Sequence, residues 1–420
     1  MTDPTPAPAT RLSAANQNAL AHVRARAGRE RAVSVARIGR VLSAARVPTD
    51  SAGVDDVCAA VRRVGVVTLN FHPDRLLAGG RSVAEVLCEQ GTYRNQFETK
   101  ISSGGLTAFP GGDRDRWEET LFGGAYHAPG VRDWERPKYG GLDLMNYSDG
   151  ACPRFGSCHL RLSADALGRS TFSFGDSANG PEDAGVIDAF EPVLAALLEG
   201  VSRDGGALGR PGLDVPRFVE RLLGTRAPRD RLFERAQGHA VDDYIEAQVH
   251  GVVSLAAGVE ALVIDPSFGD TPTGEILIAT AERYGLETEW HPGFVLTAGD
   301  VPRDVPQDAP TRAAAAPPRL PRWRAFCARG RAARLATRVV TDYAVDGSHL
   351  DAAAIGRAAV AAVRNPDQWE EWGSTRESLQ CLKDLWLILV AHGRPRSAPT
   401  VPPQDAGASN GEWSDEKGRV

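Results

Sequence analysis

The sequence contains no apolar run approaching the roughly 18 uninterrupted residues that a membrane helix needs, so no membrane span is expected in its 420 residues. It contains no C-x-x-C pair. Its six cysteines, at 58, 88, 152, 158, 327 and 381, are scattered, too sparse for a disulfide scaffold and in keeping with a reducing cytoplasm. Lysine is nearly missing: of 48 basic residues only Lys100, Lys138, Lys383 and Lys417 are lysines, and the rest are arginine. With abundant Ala, Gly and Pro, that bias reads as high-GC coding. The formal net charge of −6 leaves no positive excess for coating nucleic acid. The opening MTDPTPAPATRLSAANQ lacks the basic start and apolar core of a secretory signal, which again points to the cytoplasm. No G-x-G-x-x-G follows a strand, and G-x-x-x-x-G-K-[ST] and G-x-S-x-G do not occur. Rossmann, P-loop and nucleophile-elbow sites are therefore unsupported.

What is present is ordinary globular chemistry, 42% apolar and 24% charged, in a chain long enough for two folded units or one enlarged domain. A Pro/Thr/Ala tail precedes helical spacing over 11–46, and the segment 1–53 reads as a tail plus helices. An α+β domain is expected over 54–302, with helices flanking a central pair of twisted, mostly antiparallel sheets. Within it, a helix at 54–63 precedes the buried strand VGVVTLNF (64–71) and the polar string HPDR. A helix around 82–90 ends at Gly91. Short β-like runs (LFGGAYH, YGGLDLM, FGSCHLRL, STFSFGD) fill 92–177, and the string GGDRDRWEE reads as a solvated loop. Helices are expected at 183–199, 215–223 and 272–284, and strands at 241–255, 259–264 and 287–295. A Pro/Ala-rich linker (303–322), a helical region (323–393) and a polar tail (394–420) complete the chain.

Candidate chemistry concentrates at 64–180 and around Glu246. The glycines of ISSGGL and LFGGAY suit close backbone approach to a ligand. Cys152, Cys158 and His159 lie near one another, but Cys158 reads more simply as a small buried hydrophobe on a strand than as a zinc ligand.

Reading His72, I-x-x-x-G-L at 101–106, F-G-x-x-Y at 122–126, Tyr139 and Glu246 in order, the chain resembles the H-Y-E ADP-ribosyltransferases, relatives of poly(ADP-ribose) polymerase and diphtheria toxin. The resemblance implies a twisted, mixed or antiparallel β core with flanking helices, and NAD as substrate. It implies that His72 holds a ribose, Tyr126 and Tyr139 clasp nicotinamide, and Glu246 stabilises the ribosyl cation. His72, Tyr126 and Glu246 are then the catalytic set. Arg75, Ser102, Ser103, Gly105, Gly123 and Gly124 would complete NAD binding with His72, Tyr126 and Tyr139, and guanidinium groups at 75, 94 and 114 suit the pyrophosphate. No resident metal is expected. The acceptor is open: protein, nucleic acid, small molecule or water.

The chain departs from the pattern at Pro73, which has no N–H where the family usually has glycine, and in a long insertion between His72 and Ile101. An R-S-E reading, Arg75 or Ser102/Ser103 with Glu246, also fits. The strings FHPDR, YRNQFETKISSGGLTA, ERPKYGGL and PRFGSCHLRL further resemble a bacterial family of unknown function. Two other classes compete. One is a metal-dependent hydrolase using ligands among His72, Asp74, Asp113, Asp115, His127, His159 and His250; the other is a non-enzymatic interaction module.

Overall fold

The computed structural model describes residues 11–47, 53–101, 108–177, 180, 182–227, 229–234, 236–302, 326 and 330–396. Eight strands form its main sheet: β1 (Val66–Phe71), β2 (Lys138–Asp143), β3 (Cys158–Leu162), β4 (Ser170–Phe174), β5 (Ala184–Val186), β6 (Ile245–Val249), β7 (Val259–Ile264) and β8 (Glu287–Trp290). Their order is β8-β7-β3-β1-β2-β6-β4-β5, and every neighbouring pair is antiparallel except β7–β8. The expected pair of sheets is thus one continuous mixed sheet. β1 is hydrogen-bonded on both sides, to β3 and to β2, and so bridges what would otherwise be two halves.

The longer helices among the described residues are α1 (Ala14–Ala44), α2 (Val54–Val64), α3 (Val83–Gln90), α4 (Asp113–Leu121), α5 (Glu191–Asp204), α6 (Val215–Gly224), α7 (Pro272–Tyr284), α8 (Arg331–Tyr343), α9 (Ala352–Arg364) and α10 (Thr375–His392). α3 starts on a reciprocal Ser82–Glu85 cap and stops at Gly91 with φ +61°, a left-handed conformation that glycine adopts without a Cβ penalty. The single helix expected over 183–199 begins later, at Glu191, because Pro192 sits in the first turn where its missing N–H costs nothing. β5 occupies the residues before it.

Two other expectations change. LFGGAYH is not a strand: Gly123 and Gly124 have positive φ and lead into a single 3-10 turn, Ala125–His127. GGDRDRWEE is not a solvated loop either, because most of it is α4, whose Asp115 and Glu118 are buried against the Arg136 guanidinium.

Apolar side chains alternate along the strands. Leu69, Leu142, Leu160, Phe172 and Ala247 join α2, α5 and α6 in the main core. The C-terminal helices belong to that same core, since Leu335, Ile355, Leu385, Trp386 and Ile388 fall in one apolar cluster with the sheet. Short backbone bridges, Val295 to Arg394 and Leu296 to Leu350, stitch them in place. The linker 303–322 and the two terminal tails lie outside the described residues, apart from Arg394–Arg396.

Candidate functional site

The site follows from the pleat. In β6 (IEAQV) the apolar Ile245, Ala247 and Val249 face the core, so Glu246 and Gln248 must face the other way. Register places Glu246 opposite Gly141 of β2 and Ser173 of β4, and Tyr139 opposite Gln248. In β1, Asn70 continues the polar face to the strand end at His72. A cavity of about 310 Å³ opens over this surface, within the usual size range of small-molecule sites.

His72, Arg75, Tyr139 and Glu246 all line this cavity. They come from the end of β1, the start of β2 and the middle of β6. Arg94, Asp113, Arg114 and Trp117 contribute from the following segments, Tyr93 and the apolar residues of α3 form more of the wall, and Lys383 of α10 also enters it. Glycine matters once here: a Cβ on Gly140 would lie 2.2 Å from the Thr68 carbonyl, so only glycine lets β2 approach β1 this closely beside Tyr139.

Glu246 is 2% exposed. Its carboxylate accepts from Gln248 Nε2 at 2.9 Å and more weakly from Ser177 N at 3.4 Å and Tyr244 Oη at 3.5 Å. Burial, reinforced by the Asp176 charge, pushes its carboxyl up to about 7. Arg154, fully buried, pairs with Asp242 and reaches Asp176 at 3.9 Å, bringing a fixed positive charge to this corner. His72 meets the Trp386 ring edge-on at 5.1 Å. Burial, with Arg75 and Lys383 nearby, lowers its imidazole to about 3, so it is neutral and offers one donor and one acceptor nitrogen. Burial and the neighbouring Arg154 and Arg75 lower the Lys383 ammonium to about 7.

The Arg114 guanidinium sits over two rings, 4.3 Å from the Tyr139 centroid and 4.7 Å from that of Trp117. Among the described residues its buried Nε and Nη1 have no hydrogen-bond partner, which leaves donors available to an anion. The Tyr139 hydroxyl donates to Glu118 Oε1 at 2.8 Å.

Other expected residues lie elsewhere. Tyr126 is 3% exposed in a separate apolar cluster with Phe122 and α1. Its hydroxyl joins Asn16 Nδ2 at 3.1 Å to His250 Nδ1, so it ties α1 to the sheet and does not face Tyr139 across a ligand. Gly123 and Gly124 are outside the cavity as well. A Cβ at Gly123 would collide with the His22 imidazole of α1, so this glycine accommodates a helix and not a ligand. Ser102, Ser103 and Gly105 lie outside the described residues, although the preceding Ile101 lines the cavity. Asp74 is not part of the cavity wall; its carboxylate packs against Gly356 of α9 while still feeling the Arg75 charge. Among the described residues, no three His, Cys, Asp or Glu side chains converge as metal ligands would. His127 pairs with Asp115 at 3.0 Å instead.

Sequence reasoning missed Tyr93, Trp117, Arg154, Asp176 and Lys383. Only Lys383 carried a signal, as a lysine in a chain that otherwise uses arginine.

These features define a mixed α/β protein built on one eight-stranded sheet, with a cation-rich cavity that ends on a buried glutamate. A family model matches residues 66–318 and 326–392, more than half of the chain, and the chain belongs to that family, described as a protein of unknown function (DUF3626). The match takes in His72, Tyr139, Glu246 and Lys383 alike. No curated protein matches the chain.

Proposed function

We propose that the cavity binds NAD and that the protein cleaves the nicotinamide–ribose bond, as an ADP-ribosyltransferase or NAD glycohydrolase on an ADP-ribosyltransferase-like fold. The observation that carries this reading is convergence. His72, Tyr139 and Glu246, far apart in sequence, line one cavity together with Arg75, Arg94 and Arg114. Guanidinium groups suit the pyrophosphate and aromatic walls suit a flat cationic ring. Tyr93, which lines the cavity as Tyr139 does, takes the role that the resemblance gives to Tyr126.

In this mechanism neutral His72 hydrogen-bonds the hydroxyls of the adenosine-side ribose, while the nicotinamide-side ribose lies at Glu246. As the C1′–N bond breaks, its electron pair leaves with neutral nicotinamide, and positive charge develops on the ribose. Glu246 is the anion held at that charge, in a buried setting where its effect is greatest. The acceptor lone pair then forms the new bond to C1′ while its proton passes to Glu246 or water. The acceptor class stays as wide as protein, nucleic acid, small molecule or water, and a cytoplasmic setting belongs to the same proposal.

The test is nicotinamide release from NAD by wild type and by Glu246→Gln, with metal analysis of the same preparations. Turnover that collapses at least about 100-fold in the variant supports the reading. Intact NAD, with stoichiometric bound zinc or manganese, overturns it in favour of a metal hydrolase. Tight NAD binding without cleavage overturns it in favour of a binding module.

A further inference from the structure

Lys383 stands out on two independent grounds. It is one of four lysines among 48 basic residues, and it lines the cavity from α10, a helix that otherwise serves the core. Its surroundings explain the choice of residue. Arg75 and His72 face it from the end of β1, Arg154 from the turn before β3, Asp176 from the segment after β4, and Asp384 from its own helix. Glu246, Arg94, Asp113 and Arg114 line the same cavity. A third arginine here would place another permanent positive charge beside Arg75 and Arg154. Lysine can release its proton while the cavity is empty and recover it when negative charge arrives.

We infer that Lys383 is a phosphate anchor of the cavity, one that takes up a proton as a pyrophosphate-bearing ligand enters. The ligand's full identity as NAD rests on the reading above; the anchor itself requires only the pyrophosphate. α10 is then part of the binding site, and the cavity forms only when the C-terminal helices are docked. Free Lys383 titrates near neutrality, so the linkage has a definite sign. Affinity is flat below about pH 7 and weakens as pH rises between the free and the bound titration points of the amine.

The experiment is calorimetric titration of ADP-ribose, and of inorganic pyrophosphate with its own ionisation over this range subtracted, into wild type, Lys383→Arg and Glu246→Gln, between about pH 6 and pH 9 and in buffers of different ionisation heat. For wild type, affinity falls roughly tenfold per pH unit above neutrality, with net proton uptake. Lys383→Arg, already charged, loses the uptake assigned to this amine. Glu246→Gln, which removes a second cavity-lining group pushed toward neutrality, retains it. Wild type that binds without proton uptake overturns the inference, even if Lys383→Arg folds poorly, because that measurement needs no variant. Uptake unchanged in Lys383→Arg, or abolished by Glu246→Gln, also overturns it. Proton-coupled pyrophosphate binding without nicotinamide release keeps the anchor and sinks the NAD reading; NAD cleavage without uptake at Lys383 does the reverse.

Discussion

Removing the Trp386 indole tests whether the C-terminal helices and the cavity are one structure. Trp386 is 1% exposed, its ring meets His72 at 5.1 Å and Phe294 at 5.8 Å, and Nε1 donates to the Pro153 carbonyl at 2.9 Å. Trp386→Phe keeps most of the packing but removes one of the two hydrogen bonds to that carbonyl, which retains the Gly156 N–H at 3.1 Å, a loss of about 1 kcal/mol. Trp386→Ala also empties the volume among His72, Phe294 and the β1 end, raising the loss to about 3–5 kcal/mol. Urea unfolding followed by tryptophan fluorescence and by far-UV dichroism reads both variants. The shared core predicts coincident transitions in wild type, with Ala shifted much further than Phe. An alanine variant within about 1 kcal/mol of wild type would refute the packing argument. Separate unfolding of residues 331–392 would refute the claim that these helices share the sheet's core.

Glu246→Gln should change stability as well as chemistry. A carboxyl held at about 7 when folded, against about 4 when unfolded, favours the fold fully at acidic pH, and that favour disappears as pH rises through 7. Wild type therefore loses on the order of 4 kcal/mol between acid and mildly alkaline pH that the glutamine variant keeps, measurable by denaturation at the two pH values. Tyr126→Phe cuts the bridge between Asn16 and His250; it should cost about 1–2 kcal/mol while NAD cleavage persists, and loss of cleavage in a folded protein would return Tyr126 to the site. Gly356→Ala would drive a Cβ into the Asp74 carboxylate, so that side chain or α9 must shift, at a cost of about 1–3 kcal/mol read by thermal unfolding; an unchanged melting temperature would show that Asp74 does not pack there.

Legibility in the sequence followed how local each cause was. β1 and the Gly91 helix stop could be read directly, because a β-rich apolar run and a terminating glycine need only neighbouring residues. Glu246 was legible for the same reason: a charged residue between Ile245 and Ala247 has to face away from the core. α4 was misread because Asp115 and Glu118 look solvated until Arg136, supplied from the loop before β2, is seen to pair with both. Tyr126 fitted a motif spacing, but its position depends on Asn16 of α1, 110 residues away. Lys383 is the extreme case, since nothing near it in sequence reveals that α10 returns to the end of β1. The single sheet was hidden too, because its continuity depends on β1 pairing on both edges.

The most direct test of the central claim is a crystal structure with an uncleavable NAD analogue, such as carba-NAD. The account predicts the ligand in the cavity, its nicotinamide-side ring within hydrogen-bond reach of Glu246 and its pyrophosphate against Lys383 and the cavity arginines. An analogue bound elsewhere, or a cavity still empty at saturating concentration, would contradict it.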